Sequence, residues 1–259
     1  MQFEVNSYAK INSFLNVLRK RADGYHEIYT HFELLDLKDK LFFFESSENK
    51  VFCDGIAPEE NIILKSIKWF NNKFSKNQHF SLKIKKTIPM GAGLGGGSSN
   101  AAATLCFLCD YHGIERQLLD FNEISFQLGA DIPIFIFGKS AYASGIGGKI
   151  EEEFSDKSSY ILINPNINIS TKSLFSSKDL IFCDEIDLEL NSFLKPLIKY
   201  SSEFNDFYDS FKEFLNEEEF NKLQLTGTGS TLFIKNPSEK LVEKIHAKRS
   251  EEHTSELQS

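Results

Sequence analysis

Pro89-Met90-Gly91-Ala92-Gly93-Leu94-Gly95-Gly96-Gly97-Ser98-Ser99-Asn100 sets five glycines into the seven positions from 91 to 97. Ahead of it, Phe80-Ser81-Leu82-Lys83-Ile84-Lys85 alternates with period two, which predicts a strand with Leu82 and Ile84 inward and the lysines on the other face. Pro89 ends that strand. Behind the glycines, Ala101-Ala102-Ala103-Thr104-Leu105-Cys106-Phe107-Leu108 has strong helix propensity. The local order is strand, glycine loop, helix. Such a loop turns backbone N–H groups toward one point, and the helix N-terminus adds about half a positive charge there, so an anion of phosphate size is the natural ligand. Ser98 and Ser99 add hydroxyls.

Several known phosphate loops do not fit. A Walker A loop needs Gly-x4-Gly-Lys-Ser/Thr: Gly148-Lys149 is followed by Ile150, and Gly138-Lys139-Ser140 has Pro133 where the first glycine would stand. Gly91, Gly93 and Gly96 match the dinucleotide fingerprint by letter, but the strand before them carries Lys83, Lys85 and Lys86, and Asp110 lies at the end of the same helix. A nucleotide-binding oxidoreductase stays open as a rival reading. Neither His-Arg-Asp nor Asp-Phe-Gly of the protein kinases occurs.

Working outward, Asn61 is suited to cap a helix whose Ile63, Ile67, Phe70 and Phe74 share one face. The N-terminal segment reads as strands and turns, with further strands at residues 25–36 and 41–45 and an Asp23-Gly24 turn between. Residues 118–128 read as a helix closed by Gly129, leading into Ala130-Asp131-Ile132-Pro133, where Asp131 can cap the helix that Pro133 starts. An acidic, polar interval at residues 151–159 suggests a domain boundary near 155. Beyond it come a strand at 160–164, a turn at Pro165-Asn166, a helix capped near Ser170-Thr171, helical segments to about Lys222, a short loop at 226–231, a strand and a helix from Ser238. Strands alternating with helices predict an α+β fold with antiparallel or mixed sheets.

The chain's 259 residues are long enough for one large domain or two modest ones. A net charge of −8 without a Lys/Arg block argues against nucleic acid as a partner. No apolar run reaches the roughly 18 to 20 residues of a membrane span, and the N-terminus lacks a signal-peptide pattern, so no membrane partner and a cytoplasmic location are expected. Four cysteines are too few for a disulfide scaffold. Cys106 and Cys109 fall three apart within the helix after the loop and read as core, and the histidines show no metal-binding spacing, so no dedicated protein metal site is expected.

The glycine stretch resembles the central phosphate-loop motif of the GHMP kinase superfamily, which includes galactokinase, homoserine kinase and mevalonate kinase. Ala9-Lys10-Ile11-Asn12-x-Phe14-Leu15 followed by Arg21-Ala22-Asp23-Gly24-Tyr25-His26-Glu27 narrows the resemblance to the 4-diphosphocytidyl-2-C-methyl-D-erythritol kinase family. Gly129-Ala130-Asp131-Ile132-Pro133 and Leu225-Thr226-Gly227-Thr228-Gly229-Ser230-Thr231 resemble its acidic and C-terminal glycine motifs, in the right order. The resemblance implies a two-domain GHMP-kinase fold with the active site in the interdomain cleft. Residues 1–155 would form the N-terminal ATP-binding domain and 156–248 a truncated C-terminal domain, with 249–259 an unrelated polar tail.

The implied activity is transfer of the γ-phosphoryl of ATP to the 2-hydroxyl of 4-diphosphocytidyl-2-C-methyl-D-erythritol in non-mevalonate isoprenoid synthesis; a mevalonate- or homoserine-type kinase is the alternative within the superfamily. By the same resemblance Lys10 and Asp131 are the catalytic pair. Residues 89–99 hold ATP, whose phosphates carry most of the Mg²⁺ coordination. Tyr25 and Phe175 sandwich the cytosine, His26 reads its edge, Asn12 steadies the substrate, and Gly227 and Gly229 meet the diphosphate or support the first loop. A monomer or weak homodimer is expected.

Overall fold

The computed structural model describes residues 2–53, 61–153 and 158–256, with side chains through residue 248. Its spine is a pair of very long antiparallel strands, β1 (Gln2–Lys20) and β2 (His26–Ser46), joined by a turn in which Gly24 takes a φ of 86°. The two strands expected at 25–36 and 41–45 are one. The polar step Lys38-Asp39-Lys40 looks like a break, yet all three residues pair with β1 and the aspartate finds tertiary partners described below. Register shifts in the pairing fall at Tyr8/Lys10, Asn12/Phe14 and Val17/Arg19. Bulges of this kind re-aim side chains, and the first two flank Lys10 and Asn12.

The first half continues with β3 (Lys50–Phe52), α1 (Ile62–Phe74), β4 (His79–Lys85), α2 (Gly96–His112), α3 (Phe121–Gln127), α4 (Ile132–Phe137), β5 (Ala141–Gly145) and β6 (Lys149–Glu152). The sheet runs β3-β4-β2-β5-β6, with β1 paired to β2, and only the β3–β4 pair is parallel. Asn61 caps α1 as expected, its Oδ1 accepting from the Ile63 N–H, and Ile63, Ile67 and Phe70 are buried. Phe80, Leu82 and Ile84 of β4 meet this face and α2, so the predicted inward side of the strand is the core side. Cys109 is buried and Cys106 packs against the same cluster, and burial pushes the Cys109 thiol up to about 11, a structural pair as expected.

The helix expected over 118–128 starts later. Asp120 caps α3, accepting from the Asn122 and Glu123 N–H groups, and the C-cap is Leu128 in the right-handed region rather than a left-handed Gly129. The Gly129 N–H instead reaches back to the Ile124 carbonyl at 3.1 Å.

The second half holds β7 (Tyr160–Ile163), α5 (Thr171–Phe175), α6 (Leu194–Tyr200), α7 (Ser202–Phe214), α8 (Glu217–Asn221), β8 (Gln224–Leu225), β9 (Leu232–Lys235) and α9 (Glu239–Glu256). Its antiparallel sheet is ordered β7-β9-β8. Asn166 takes the left-handed φ of 59° at the expected turn, and Ser170 caps α5 as read from the sequence. The expected boundary near residue 155 lies at 154–157, outside the described residues. The halves meet along β1. Leu15 and Val17 belong to the second core with Phe193, Leu225 and Leu232, while Ala9 and Ile11 pack with Ala92, Leu94 and Phe233.

Candidate active site

The free edge of β1 brings together what the sequence separates. The Lys10 N–H donates to the Leu94 carbonyl at 3.1 Å, so the first glycine loop is stitched to the strand that carries Lys10. The Asn12 N–H donates to Thr226 Oγ1 at 2.9 Å, which stitches the second glycine loop two residues along. The loops also interlock with each other: a side chain on Gly93 would run into the Thr226 carbonyl, and one on Gly227 would stand 3.1 Å from the Gly93 carbonyl. The second loop therefore supports the first. Asn191 holds it from behind, its Nδ2 donating to the Leu225 and Gly227 carbonyls.

Between them opens a cleft of about 710 Å³, within the usual size of a small-molecule site. It is lined by residues 89–98 of the first loop, by Lys10, Asn12, Asn61, Lys86 and Asp131, and on the second half by Thr171, Phe175, Phe193, Gly227, Thr228 and Gly229. Gly91, Gly93 and Gly95 take φ of 65°, 75° and 71°, and Gly95 is the N-cap of α2. The helix thus starts at Gly96, earlier than the alanine run predicts, and its bare N-terminus faces the cleft. That geometry accepts phosphate.

Lys10 lies at the base of the cleft, 2% exposed. Its ammonium donates to Asn12 Oδ1 at 2.6 Å and the Gly93 carbonyl at 3.1 Å, and stands 3.3 Å from Asp131 Oδ2. Three acceptors match its three donors. The Asn12 amide is oriented by its Nδ2–H bond to Thr30 Oγ1 at 2.8 Å, and Thr30 in turn donates to the Phe14 carbonyl. Asp131 occupies the N-cap position of α4, but its side chain makes no cap bond, and at 33% exposed it is open to the cleft. The expected capping role is therefore absent, which leaves the carboxylate for Lys10 and a ligand.

Not every expected ligand group is in place. Ser99 is buried, with its Oγ 2.7 Å from Ser7 Oγ, and does not line the cleft; its N–H closes the first turn of α2 onto the Gly95 carbonyl. Helical phase turns it away while Ser98 faces in. Tyr25 and Phe175 do not face each other as a ready-made sandwich. The Tyr25 ring lies 5.3 Å from that of Phe126, whereas Phe175 packs against His26 at 5.0 Å and Phe193 at 4.7 Å. Phe175 lines the cleft; Tyr25 and His26 sit outside its lining. Burial and the nearby Lys20 hold the His26 pKa below its usual value, so its imidazole is neutral near pH 7 and has one donor and one acceptor to offer.

Sequence reading missed Lys86, Asp39, Thr30 and Asn191. Thr226 lay inside a quoted motif without a role. Lys86 offered the one available signal, a third lysine breaking the alternation of β4 directly before the loop.

Comparison with known proteins gives the family and the fold. The family described as GHMP kinases N terminal domain matches residues 61–139. A 4-diphosphocytidyl-2-C-methyl-D-erythritol kinase of Francisella tularensis subsp. holarctica (strain FTNF002-00 / FTA) is 41% identical over 251 residues, 93% of this chain and 91% of that protein. Its counterpart from Acinetobacter baylyi (strain ATCC 33305 / BD413 / ADP1) is 37% identical, over 93% and 90%. A solved 4-(cytidine 5'-diphospho)-2C-methyl-D-erythritol kinase superposes with a TM-score of 0.71 at 24% identity, covering 90% of this chain and 89% of that one. A homoserine kinase from Cytophaga hutchinsonii ATCC 33406 shares the fold at 0.62 and 13%, covering 93% and 88%.

Proposed function

The chain belongs to the 4-diphosphocytidyl-2-C-methyl-D-erythritol kinase family of the GHMP kinases, and on that premise we propose how its cleft performs the family's reaction. It is an ATP-dependent small-molecule kinase that phosphorylates the 2-hydroxyl of 4-diphosphocytidyl-2-C-methyl-D-erythritol, a step in isoprenoid precursor synthesis. The observation that carries the assignment of roles is the Lys10–Asp131 pair, 3.3 Å apart at the mouth of a glycine loop whose helix N-terminus points at the same space.

ATP lies with its phosphates against residues 89–98 and the start of α2, where backbone N–H groups and Lys86 balance their charge. The acceptor enters from the side of Phe175 and the second glycine loop. Asp131 orients its hydroxyl and takes the proton as the oxygen attacks the γ-phosphorus and the bond to the β-phosphate oxygen breaks. Lys10, held by Asn12 and the Gly93 carbonyl, faces the charge that develops between the two. Phe175 supplies a stacking face for cytosine, and His26 and Tyr25 reach the base as the ligand settles. Among the described residues no group of three or more His, Cys, Asp or Glu is placed to hold a metal. The Ser98 hydroxyl and the Asp131 carboxylate are hard oxygen donors that suit Mg²⁺, which would be held mainly by the ATP phosphates and offset their charge.

We place the two domains at 1–155 and 156–248, with the protein acting in the cytoplasm as a monomer or weak homodimer. Among the described residues no helix is long and apolar enough to cross a membrane. The decisive experiment incubates the protein with labelled ATP and, separately, the cytidine-linked methylerythritol, mevalonate and homoserine. Phosphorylation of the first alone is expected. Equal transfer to mevalonate or homoserine overturns the substrate assignment, and nicotinamide turnover without ADP release overturns the kinase reading.

A further inference from the structure

Asp39 has no exposed surface at all, and no basic group lies beside it in the chain except lysines that point elsewhere. Burying a carboxylate is costly unless it is fully paired, so its partners show what it is for. All three come from the short segment that leads into the phosphate loop. Oδ1 accepts from the Thr87 N–H at 2.7 Å and the Ile88 N–H at 2.9 Å, and Oδ2 meets the Lys86 ammonium at 2.5 Å. Lys86 itself lines the cleft, and its Nζ stands 3.2 Å from where a side chain on Gly96 would begin, at the first turn of α2.

The residue directly opposite Asp39 on β1 is Ser7, also buried. Its Oγ lies 2.7 Å from Ser99 Oγ and 2.7 Å from Asn100 Oδ1, on the other flank of the same loop. One cross-strand pair thus grips the loop where it begins and where it becomes helix. The span between carries the left-handed glycines, which have no side chains of their own to restrain them.

We propose that Asp39 is a positioning residue for ATP: with Ser7 it sets the curvature of the phosphate loop, and it aims the Lys86 ammonium at the nucleotide phosphates. The inference rests on the reading that residues 89–98 bind ATP. It predicts an effect confined to one of the two substrates, because the Asp39 contacts end on the ATP loop and none reaches the acceptor side.

Asp39→Asn keeps the shape and the Oδ1 acceptor while removing the charge that holds Lys86. The expected result is a KM for ATP raised roughly tenfold, the size of one lost charge-assisted hydrogen bond, with the acceptor KM and kcat changed far less. Ser7→Ala shifts the same constant in the same direction. Equal rises in both KM values, or an unchanged ATP affinity by calorimetry, overturn the proposal. If Asp39→Asn does not accumulate as folded protein, Lys86→Met tests the contact from its more exposed end. Lys86→Met is then expected to raise the KM for ATP with the acceptor KM changed far less, and an unaltered ATP affinity overturns action through Lys86.

Gly97→Val separates this inference from its premise. A side chain there has open space within the protein but projects into the cleft, so the fold tolerates it and bound phosphates do not. ATP affinity lost in Gly97→Val and unaffected in Asp39→Asn overturns the positioning role alone. Affinity unaffected in both overturns the loop assignment as well.

Discussion

Asp131 and Lys10 are divided in their tasks by burial. Asp131 is open to the cleft and makes no cap bond to α4, so Asp131→Asn removes a charge without unseating a helix. Its expected outcome is a kcat lower by about 10²- to 10⁴-fold with ATP binding nearly intact by calorimetry, because the lost interaction belongs to the transition state. An unaltered kcat would take the residue out of the mechanism. Phe175 has a double duty, since its ring packs edge-on to the buried Phe193 as well as lining the cleft. Phe175→Ala is expected to raise the KM for the cytidine substrate by about 1 to 3 kcal/mol of lost stacking, and also to lower the melting temperature. A KM for ATP that rises equally would show that the ring serves only the fold.

At the scale of elements, helix starts decide where functional groups point. Gly95, left-handed at the start of α2, turns the chain so that Gly97 and Ser98 face the cleft and Ser99 faces β1. The true start of α3 is Asp120, an exposed cap remote from the cleft lining. Asp120→Ala is expected to cost about 1 kcal/mol in chemical denaturation while both KM values stay unchanged, the usual worth of an N-cap side chain. No loss of stability would mean that the cap bonds are replaced by water at no cost. Asp120 was legible in principle, as Asp-x-x-Glu ahead of an apolar face, whereas Gly129 stands where a glycine after a helix is often its left-handed cap and here is not.

Across the whole molecule, a second polar cluster ties the halves together on the β2 face. Buried Glu33 accepts from the Tyr160 hydroxyl and, at 3.0 Å, from Lys235, which stand on β7 and β9. Beside it His31 bonds Ser13 Oγ at 2.7 Å and contacts Glu153 through Nε2, with the Tyr142 ring at 4.8 Å. Burial pulls the His31 pKa below its usual value and Lys235 adds to this, against the upward pull of Glu153 and Glu33. The unfolded chain therefore binds the His31 proton more readily than the folded one. Its contribution to stability is whole above the unfolded pKa of about 6.5 and is lost as pH falls from there toward the folded pKa. Thermal unfolding at about pH 7.5 and 5.5 should show a larger drop for the wild type than for His31→Gln. Equal drops would assign the acid sensitivity to other groups.

The phosphate loop, its flanking strand and helix and the Asn61 cap were legible in the chain, because each rests on local rules: period two, glycine density and capping chemistry; the candidate pair Lys10 and Asp131 came from the family resemblance of the motifs that hold them. Lys10 and Asn12 even read as neighbours, two apart on one strand. What the tertiary structure alone decided is contact between segments far apart in sequence. Nothing local shows that Thr226 would bond the Asn12 backbone, that Tyr25 would settle against Phe126, or that β2 would run unbroken through a Lys-Asp-Lys step. A polar residue in sequence looks solvated, and only the fold supplies the three donors that let Asp39 be buried and so make it part of the site.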